Sequence, residues 1–239
     1  MVLDTTDSAV LFSRHSNVAA PIASITKLMT ALVVLDGGQP LTDILEITQD
    51  DRVSGKGAAS RLAVGTKLSR GDLLHIALMS SDNRAAHAVG RNYPGGVPAF
   101  VRAMNAKAKT LGMTSARFTD PTGLSELNVA SAEDLCLLVS AAARSPTVRN
   151  FSTDHKYSVV AGRRKIEFRN TNTLVAKADW NILVQKTGYT NEAGQCLVMK
   201  TMIMNRPVVI VLLDSFGKYT RVADARRIRK WLEDKERNG

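Results

Sequence analysis

The apolar positions of the chain change period twice along its length. Val10 to Phe12 is a short β-type run followed by Arg14-His15-Ser16-Asn17, which predicts a strand entering a hairpin turn. From Ser24 the apolar positions Ile25, Leu28, Met29, Leu32, Val33 and Leu35 follow helical spacing, and Gly37-Gly38 stops the run. Ser24 is therefore placed at a helix start. Ile44 to Val53 alternates as a strand does, and Gly55-Lys56-Gly57 reads as a loop.

The middle of the chain returns to the helical period. Leu73, Leu74, Ile76, Ala77 and Leu78 precede Ser81, and Val97, Phe100, Val101, Met104, Ala108 and Leu111 follow Pro94-Gly95-Gly96. Ser131 with Asp134 three residues on is a helix-capping pattern ahead of Leu135, Leu138 and Val139. Past Ser145-Pro146 the period falls to two: Tyr157 to Val160 and Lys165 to Phe168 flank Gly162-Arg163-Arg164. Ile182 to Lys186, Leu197 to Met204 and Val208 to Leu213 predict a three-strand meander. A last helix runs from about Thr220 through Trp231 and Leu232. Strands at both ends enclosing helices predict an α+β fold, an antiparallel sheet packed by terminal helices with an inserted helical lobe at about residues 70–145. The whole of 1–239 reads as one domain, without repeats or linkers.

Composition narrows the function classes. With 239 residues and 44% hydrophobic content the chain can bury a core. No stretch reaches the ~18 consecutive apolar residues of a membrane helix, so no integral membrane segment is expected. The first ten residues carry two aspartates and no basic n-region, so Met1 does not open a signal peptide; an exported form is expected to have lost its signal. The net charge of +10 attracts polyanions. Its dense cluster, Arg226, Arg227, Arg229 and Lys230, lies on the terminal helix, and only 5% of residues are aromatic, too few to favour base stacking. Nucleic acid is not an expected partner. Cys136 and Cys196 sit in apolar contexts and read as two buried thiols, while the four histidines fall in no metal-ligand spacing, so neither metal nor cofactor is expected.

Three short motifs carry candidate chemistry. In Ser24-Ile25-Thr26-Lys27 the hydroxyl and the amine share a helix face, so Lys27 can take the proton of a nucleophilic Ser24 if burial or a neighbouring cation lowers its pKa. The helix start also aims backbone N–H groups at a developing oxyanion. Ser81-Asp82-Asn83 lies in a loop between helical runs, where the hydroxyl can relay a proton to a leaving amine and the amide can fix the lysine. Lys186-Thr187-Gly188 closes a strand and offers a cation and a hydroxyl to a carboxylate, with a glycine that admits close backbone approach. Each alone is equally an N-cap, a loop or a strand end. Together, in this order and these contexts, they are specific.

On these motifs the sequence resembles the active-site serine penicillin-recognising proteins. More narrowly it is similar to low-molecular-mass penicillin-binding proteins, single-domain serine DD-peptidases of the D-alanyl-D-alanine endopeptidase type, with the β-lactamase/transpeptidase-like fold. Asp120-Pro121-Thr122-Gly123-Leu124-Ser125, Phe168-Arg169-Asn170-Thr171-Asn172 and Lys186-Thr187-Gly188-Tyr189-Thr190 extend the match. The resemblance implies Ser24 as nucleophile and Lys27 as its base, with Ser81 and Asn83 completing the proton network and Lys186, Thr187, Gly188, Tyr189 and Thr190 receiving the substrate. It also implies an oxyanion hole from the N–H groups of Ser24 and Tyr189, and Arg221 as a second carboxylate-facing cation on an ungapped count from Lys186.

The implied partners are peptidoglycan peptides and cross-links, with β-lactam antibiotics as covalent inhibitors, and the implied location is periplasmic or secreted. A β-lactamase of the class A type would need a deacylating glutamate where this chain has Leu124, although Ser125-Glu126-Leu127-Asn128 imitates the end of that motif. A non-catalytic wall-binding relative would have lost motif residues that are present here. A DD-carboxypeptidase is the remaining alternative. Endopeptidase is preferred because the chain ends soon after its terminal helix, where membrane-attached carboxypeptidases of the group continue.

Overall fold

The computed structural model describes residues 1–53, 59–217 and 219–237. From the N-terminus, β1 (Val2–Asp4) and β2 (Val10–Phe12) pair antiparallel, then β3 (Ala20–Pro21) leads through a 3-10 turn (Ala23–Ile25) into α1 (Thr26–Asp36). β4 (Ile44–Glu46) and β5 (Lys67–Ser69) pair ahead of α2 (Arg70–Met79), α3 (Asn83–Arg91) and α4 (Gly96–Thr110). β6 (Val129–Ala130) returns to β3, and α5 (Ala132–Ala142) and α6 (Pro146–Thr153) follow. The hairpin β7 (Lys156–Ala161) and β8 (Arg164–Arg169) precedes the meander β9 (Asn181–Thr190), β10 (Gly194–Ile203) and β11 (Arg206–Ser215), and α7 (Thr220–Arg237) ends the described chain.

The principal sheet has the order β2-β1-β11-β10-β9, antiparallel throughout. The meander strands read as nearly continuous apolar runs because both sheet faces are covered. Cys196 and Val198 of β10 and Val209 and Val211 of β11 face the helical layer, while Leu197, Met199, Val208 and Ile210 face α7 through Val222, Ala225, Ile228 and Leu232. Side chains of period two thus feed two cores. Burying each large aliphatic side chain is worth about 1.5–3 kcal/mol. Leu28, Met29, Ala31, Leu32, Val33 and Val34 are buried, as are Lys27 and Thr30, so α1 is enclosed on every side and runs through the middle of the molecule. Its N-terminus is a rigid mount for Ser24.

Two features differ from the sequence expectation. Only Ile44–Glu46 of the alternating run 44–53 is strand; Gln49–Asp51 is a 3-10 turn closed by a Thr48/Asp51 capping box. Buried Asp51 there accepts from Arg91 at 2.9 Å and lies 2.8 Å from His87 Nδ1. Burial alone would raise its pKa, but the bonds from His87, Arg91 and the Thr48 N–H outweigh that and hold it at about 2. Asp51 thereby fastens α3 to the segment before it, so an apparent strand is an anchoring turn. The partner of β2 is β1, which precedes it, and not a strand after Arg14-Asn17. The expected loop at Gly55-Lys56-Gly57 lies outside the described residues.

The thiols of Cys136 and Cys196 are free and buried; burial pushes them up to about 12 and about 11, so both stay protonated. On α7 the basic cluster is partly neutralised, since Arg227 pairs with Asp224, and Arg229 pairs with Glu233 and Asp179 while lying over the Trp180 ring. Its field toward a polyanion is weaker than four bare cations would give.

Candidate active site

The 3-10 turn that carries Ser24 is held by two glycines. Ala23 adopts a left-handed backbone (φ 47°), a costly conformation for a residue with a Cβ. Gly123 (φ +82°) packs so close that a Cβ there would stand 2.0 Å from the Ala23 carbonyl oxygen. Gly188 of β9 passes on another side, where a Cβ would meet Ile22 O at 2.9 Å and Ser24 N at 3.3 Å. β9 is the edge of its sheet, and this approach sets its unpaired edge beside Ser24. Gly123→Ala is expected to cost at least about 2 kcal/mol, a fall of roughly 4–8 °C in melting temperature by calorimetry.

Lys27, one turn on, is completely buried. Its Nζ donates to Ser24 Oγ at 2.8 Å, Asn83 Oδ1 at 2.7 Å and the Thr122 carbonyl at 2.7 Å. Burial pushes its pKa down from the ordinary lysine value to about 7, against the opposing pull of the Asp120 and Asp82 carboxylates. The neutral amine keeps two N–H groups for Asn83 and Thr122 and turns its lone pair to the Ser24 hydroxyl. The geometry serves either protonation state.

Each partner of Lys27 is fixed by local structure. Ser81 takes a left-handed backbone (φ 63°) between α2 and α3, and Asp82 then caps α3 by accepting from Ala85 N–H at 3.0 Å. Burial raises the Asp82 pKa against the bonds from Ala85 and Ser60 and the charge of Lys27. Asn83 follows as the first residue of α3. The Thr122 carbonyl is presented by a knot around Asp120, whose carboxylate accepts from the N–H groups of Thr122 (2.6 Å), Gly123 (2.8 Å) and Ser125 (3.1 Å) and from the Asn128 amide. These bonds outweigh burial and keep Asp120 ionised.

From the sheet, Lys186 Nζ donates to Ser81 Oγ at 2.9 Å and to the Thr187 carbonyl at 2.8 Å. Burial, then the charges of Lys27 and Arg221, push its pKa well below the ordinary lysine value. Two ammonium groups in one dry site repel, so a bound carboxylate would restore the charge of Lys186. The hydroxyls of Thr187 and Thr171 lie 2.6 Å apart. Arg221 Nη1 donates to the Gly188 carbonyl at 2.8 Å, which fixes its guanidinium at the end of β9. Ser24, Ser81, Asn83, Thr187, Gly188, Tyr189 and Arg221 line one cleft of about 520 Å³, with both lysines buried beside it.

Thr190 is the predicted site residue that neither lines the cleft nor bonds to a side chain that does. It is buried, and its hydroxyl accepts from Ala193 N–H at 3.1 Å to close the β9–β10 turn. Asp120, Thr122 and Thr171 enter the site without a role having been read for them from sequence. The Asp120-Pro121-Thr122-Gly123 turn signature is the signal that could have found the first two.

A family model described as D-alanyl-D-alanine carboxypeptidase matches residues 1–217. A D-alanyl-D-alanine endopeptidase of Pseudomonas aeruginosa is 50% identical over 98% of this chain and 76% of its own length. One of Escherichia coli K12 is 48% identical with the same coverage. Among solved structures, the Streptomyces K15 DD-transpeptidase superposes with a TM-score of 0.88 at 26% identity, covering 96% of this chain and 94% of that one. The antiparallel sheet with helical layers on both faces is the fold this chain shares with that transpeptidase.

Proposed function

The chain belongs to the D-alanyl-D-alanine carboxypeptidase family of peptidases, and from that membership we propose that it is a serine DD-peptidase hydrolysing D-alanyl peptide bonds of peptidoglycan. The observation that carries the reading is Lys27, buried, near neutrality in pKa and 2.8 Å from the Ser24 hydroxyl. In this reading neutral Lys27 takes the Ser24 proton as Oγ attacks the D-alanyl carbonyl carbon. The oxyanion that forms accepts from the backbone N–H groups of Ser24 and Tyr189. Its collapse breaks the C–N bond, and the proton held by Lys27 passes through Ser81 to the leaving amine. Water then cleaves the acyl-Ser24 ester.

Lys186, Thr187 and Arg221 receive the carboxylate on the leaving side of the scissile bond, and Asn83 bonds the substrate backbone while holding Lys27. A β-lactam acylates Ser24 by the same steps, but its amine stays tethered to the acyl group. Leu124 lines the cleft where a class A β-lactamase would need a glutamate, and a leucine cannot activate water, so the penicilloyl ester is long-lived.

Within the peptidases, cross-link endopeptidase is the favoured activity, supported by two relatives of that name at 50% and 48% identity. The location that fits is outside the cytoplasmic membrane, with the polymer it cuts. Among the described residues no helix is long and apolar enough to cross a membrane. Purified muropeptides decide the activity: a cross-linked dimer is expected to yield monomers faster than a pentapeptide monomer loses its terminal D-alanine. Faster release of D-alanine would make the enzyme a carboxypeptidase.

A further inference from the structure

The cleft continues past the residues assigned to the reaction. Arg61 and Arg169 also line it, and both are exposed. Arg61 Nη1 donates to the Glu167 carbonyl at 2.6 Å, and Arg169 Nε pairs with the Glu167 carboxylate at 3.0 Å. Two guanidiniums from distant parts of the chain thus meet at one residue of β8. The hairpin from Lys156 to Arg169 carries five basic residues and one acidic one, Glu167. Its bond to Arg169, then the charges of Lys156, Arg169 and Lys165, hold the Glu167 carboxyl below its ordinary value. This wall of the cleft is therefore cationic, a field that draws anions into a concave site.

The polarity of the site says which part of a substrate meets that wall, and this step rests on the DD-peptidase reading. There the Tyr189 N–H holds the oxyanion, Ser81 serves the leaving amine, and Lys186 and Thr187 hold the carboxylate beside the scissile bond. From Tyr189 back along β9 to Thr187 the site runs from the acyl half to the leaving half. The Thr171 hydroxyl lies 2.6 Å from that of Thr187, and Arg169 stands two residues before Thr171. Ser60, next to Arg61, bonds the Asp82 carboxyl, next to Ser81. Both guanidiniums therefore stand past the carboxylate position, on the side where the leaving group departs. From a pentapeptide monomer that group is a lone D-alanine, whose single carboxylate Lys186 already receives. From a cross-link it is a whole second stem peptide, which carries further carboxylates.

We propose that Arg61 and Arg169 form a subsite for the carboxylates of the second stem peptide, and that this subsite selects cross-links over pentapeptide monomers. A guanidinium presents a planar fork of donors that matches a carboxylate. The bond from Arg61 to a carbonyl does not exhaust its five N–H groups. The Arg169 pair with Glu167 is exposed, so exchanging it for a substrate carboxylate costs little.

The test measures dimer cleavage and release of D-alanine from pentapeptide with the full-length enzyme. In Arg61→Gln/Arg169→Gln, kcat/KM for the dimer is expected to fall about ten-fold through KM, while pentapeptide hydrolysis and labelling by fluorescent penicillin keep the parent rates. Arg61→Lys/Arg169→Lys should lose less, since the charge remains. A dimer whose second-stem carboxylates are amidated, except the one beside the scissile amide, should show a similarly raised KM with the parent and no further rise with the glutamine variant. In an enzyme that labels with penicillin and cuts the dimer, equal losses on both substrates, no loss on either, or indifference of the parent to amidation overturns the subsite alone. An enzyme that neither labels nor cuts overturns the peptidase reading and the subsite with it.

Discussion

Ser24→Ala is expected to abolish both covalent labelling by a fluorescent penicillin and hydrolysis of cross-linked muropeptides, with a loss on the order of 10⁴-fold or more. The substitution removes one oxygen and leaves the turn intact. The Ser24 hydroxyl caps no helix, and Lys27 keeps its bonds to Asn83 and Thr122. The melting temperature should therefore stay close to that of the parent, which separates lost chemistry from lost fold. Intact-mass spectra after penicillin should show the adduct on the parent and none on the variant. An adduct that persists would move the nucleophile elsewhere, with Ser81 the nearest candidate because its hydroxyl also accepts from a buried lysine.

The side chains proposed for catalysis could be picked out of the sequence because the proposed chemistry demands particular residue types in particular local settings. Ser24 and Lys27 are neighbours on one helix, so the sequence carries their contact directly. The contacts of Lys27 with Asn83 and of Lys186 with Ser81 span 56 and 105 residues. Only the joint occurrence of three motifs pointed to them. The turn signature marks the place of Thr122 but not the use of its carbonyl by Lys27, since any residue can offer a main-chain oxygen and its position depends on the Asp120 knot. Thr190 was read into the site by its place in a motif. Strand alternation beyond the exposed Tyr189 instead turns its hydroxyl toward the β9–β10 turn.

The fold shows the same division. Strands of the meander and the helices with large aliphatic residues follow the apolar period. α3 does not announce itself, because its buried face is Ala85, Ala86, Ala88, Val89 and Gly90, small residues chosen for close packing. There the Gly90 Cα lies so near Pro121 that a Cβ would be 2.9 Å from its ring. α6 buries only Val148 and Ser152, although Ser145 with Pro146 after it is a fair start signal. β1 is three residues long and pairs with β11 some 200 residues later, an alignment no local pattern specifies. The run 44–53 misled because Asp51 is buried for its charge-assisted bonds and not as part of a pleated face.

Lys27→Arg keeps a positive charge in the site and is expected to lose acylation by about 10³-fold or more, because a guanidinium stays protonated at any working pH and cannot accept the Ser24 proton. The parent enzyme should reveal the same requirement through pH. With the Lys27 pKa at about 7, the neutral fraction grows roughly tenfold per pH unit below 7 and saturates above it. The acylation rate should therefore climb with pH and level off near neutrality. In the proposed mechanism Lys186 titrates in the opposite sense for function, since there its charge holds the carboxylate. Its lowered pKa predicts that KM rises with pH from a lower pH than an ordinary lysine would give, while kcat stays level. Stopped-flow acylation of the parent and of Lys27→Arg across pH 5 to 9 separates the two lysines, as a base defect lowers the acylation step and a carboxylate defect weakens binding. If Lys27→Arg acylates at the parent rate, or the parent profile is flat through pH 7, Lys27 is not the base, and its bond to Ser24 serves only to position the hydroxyl.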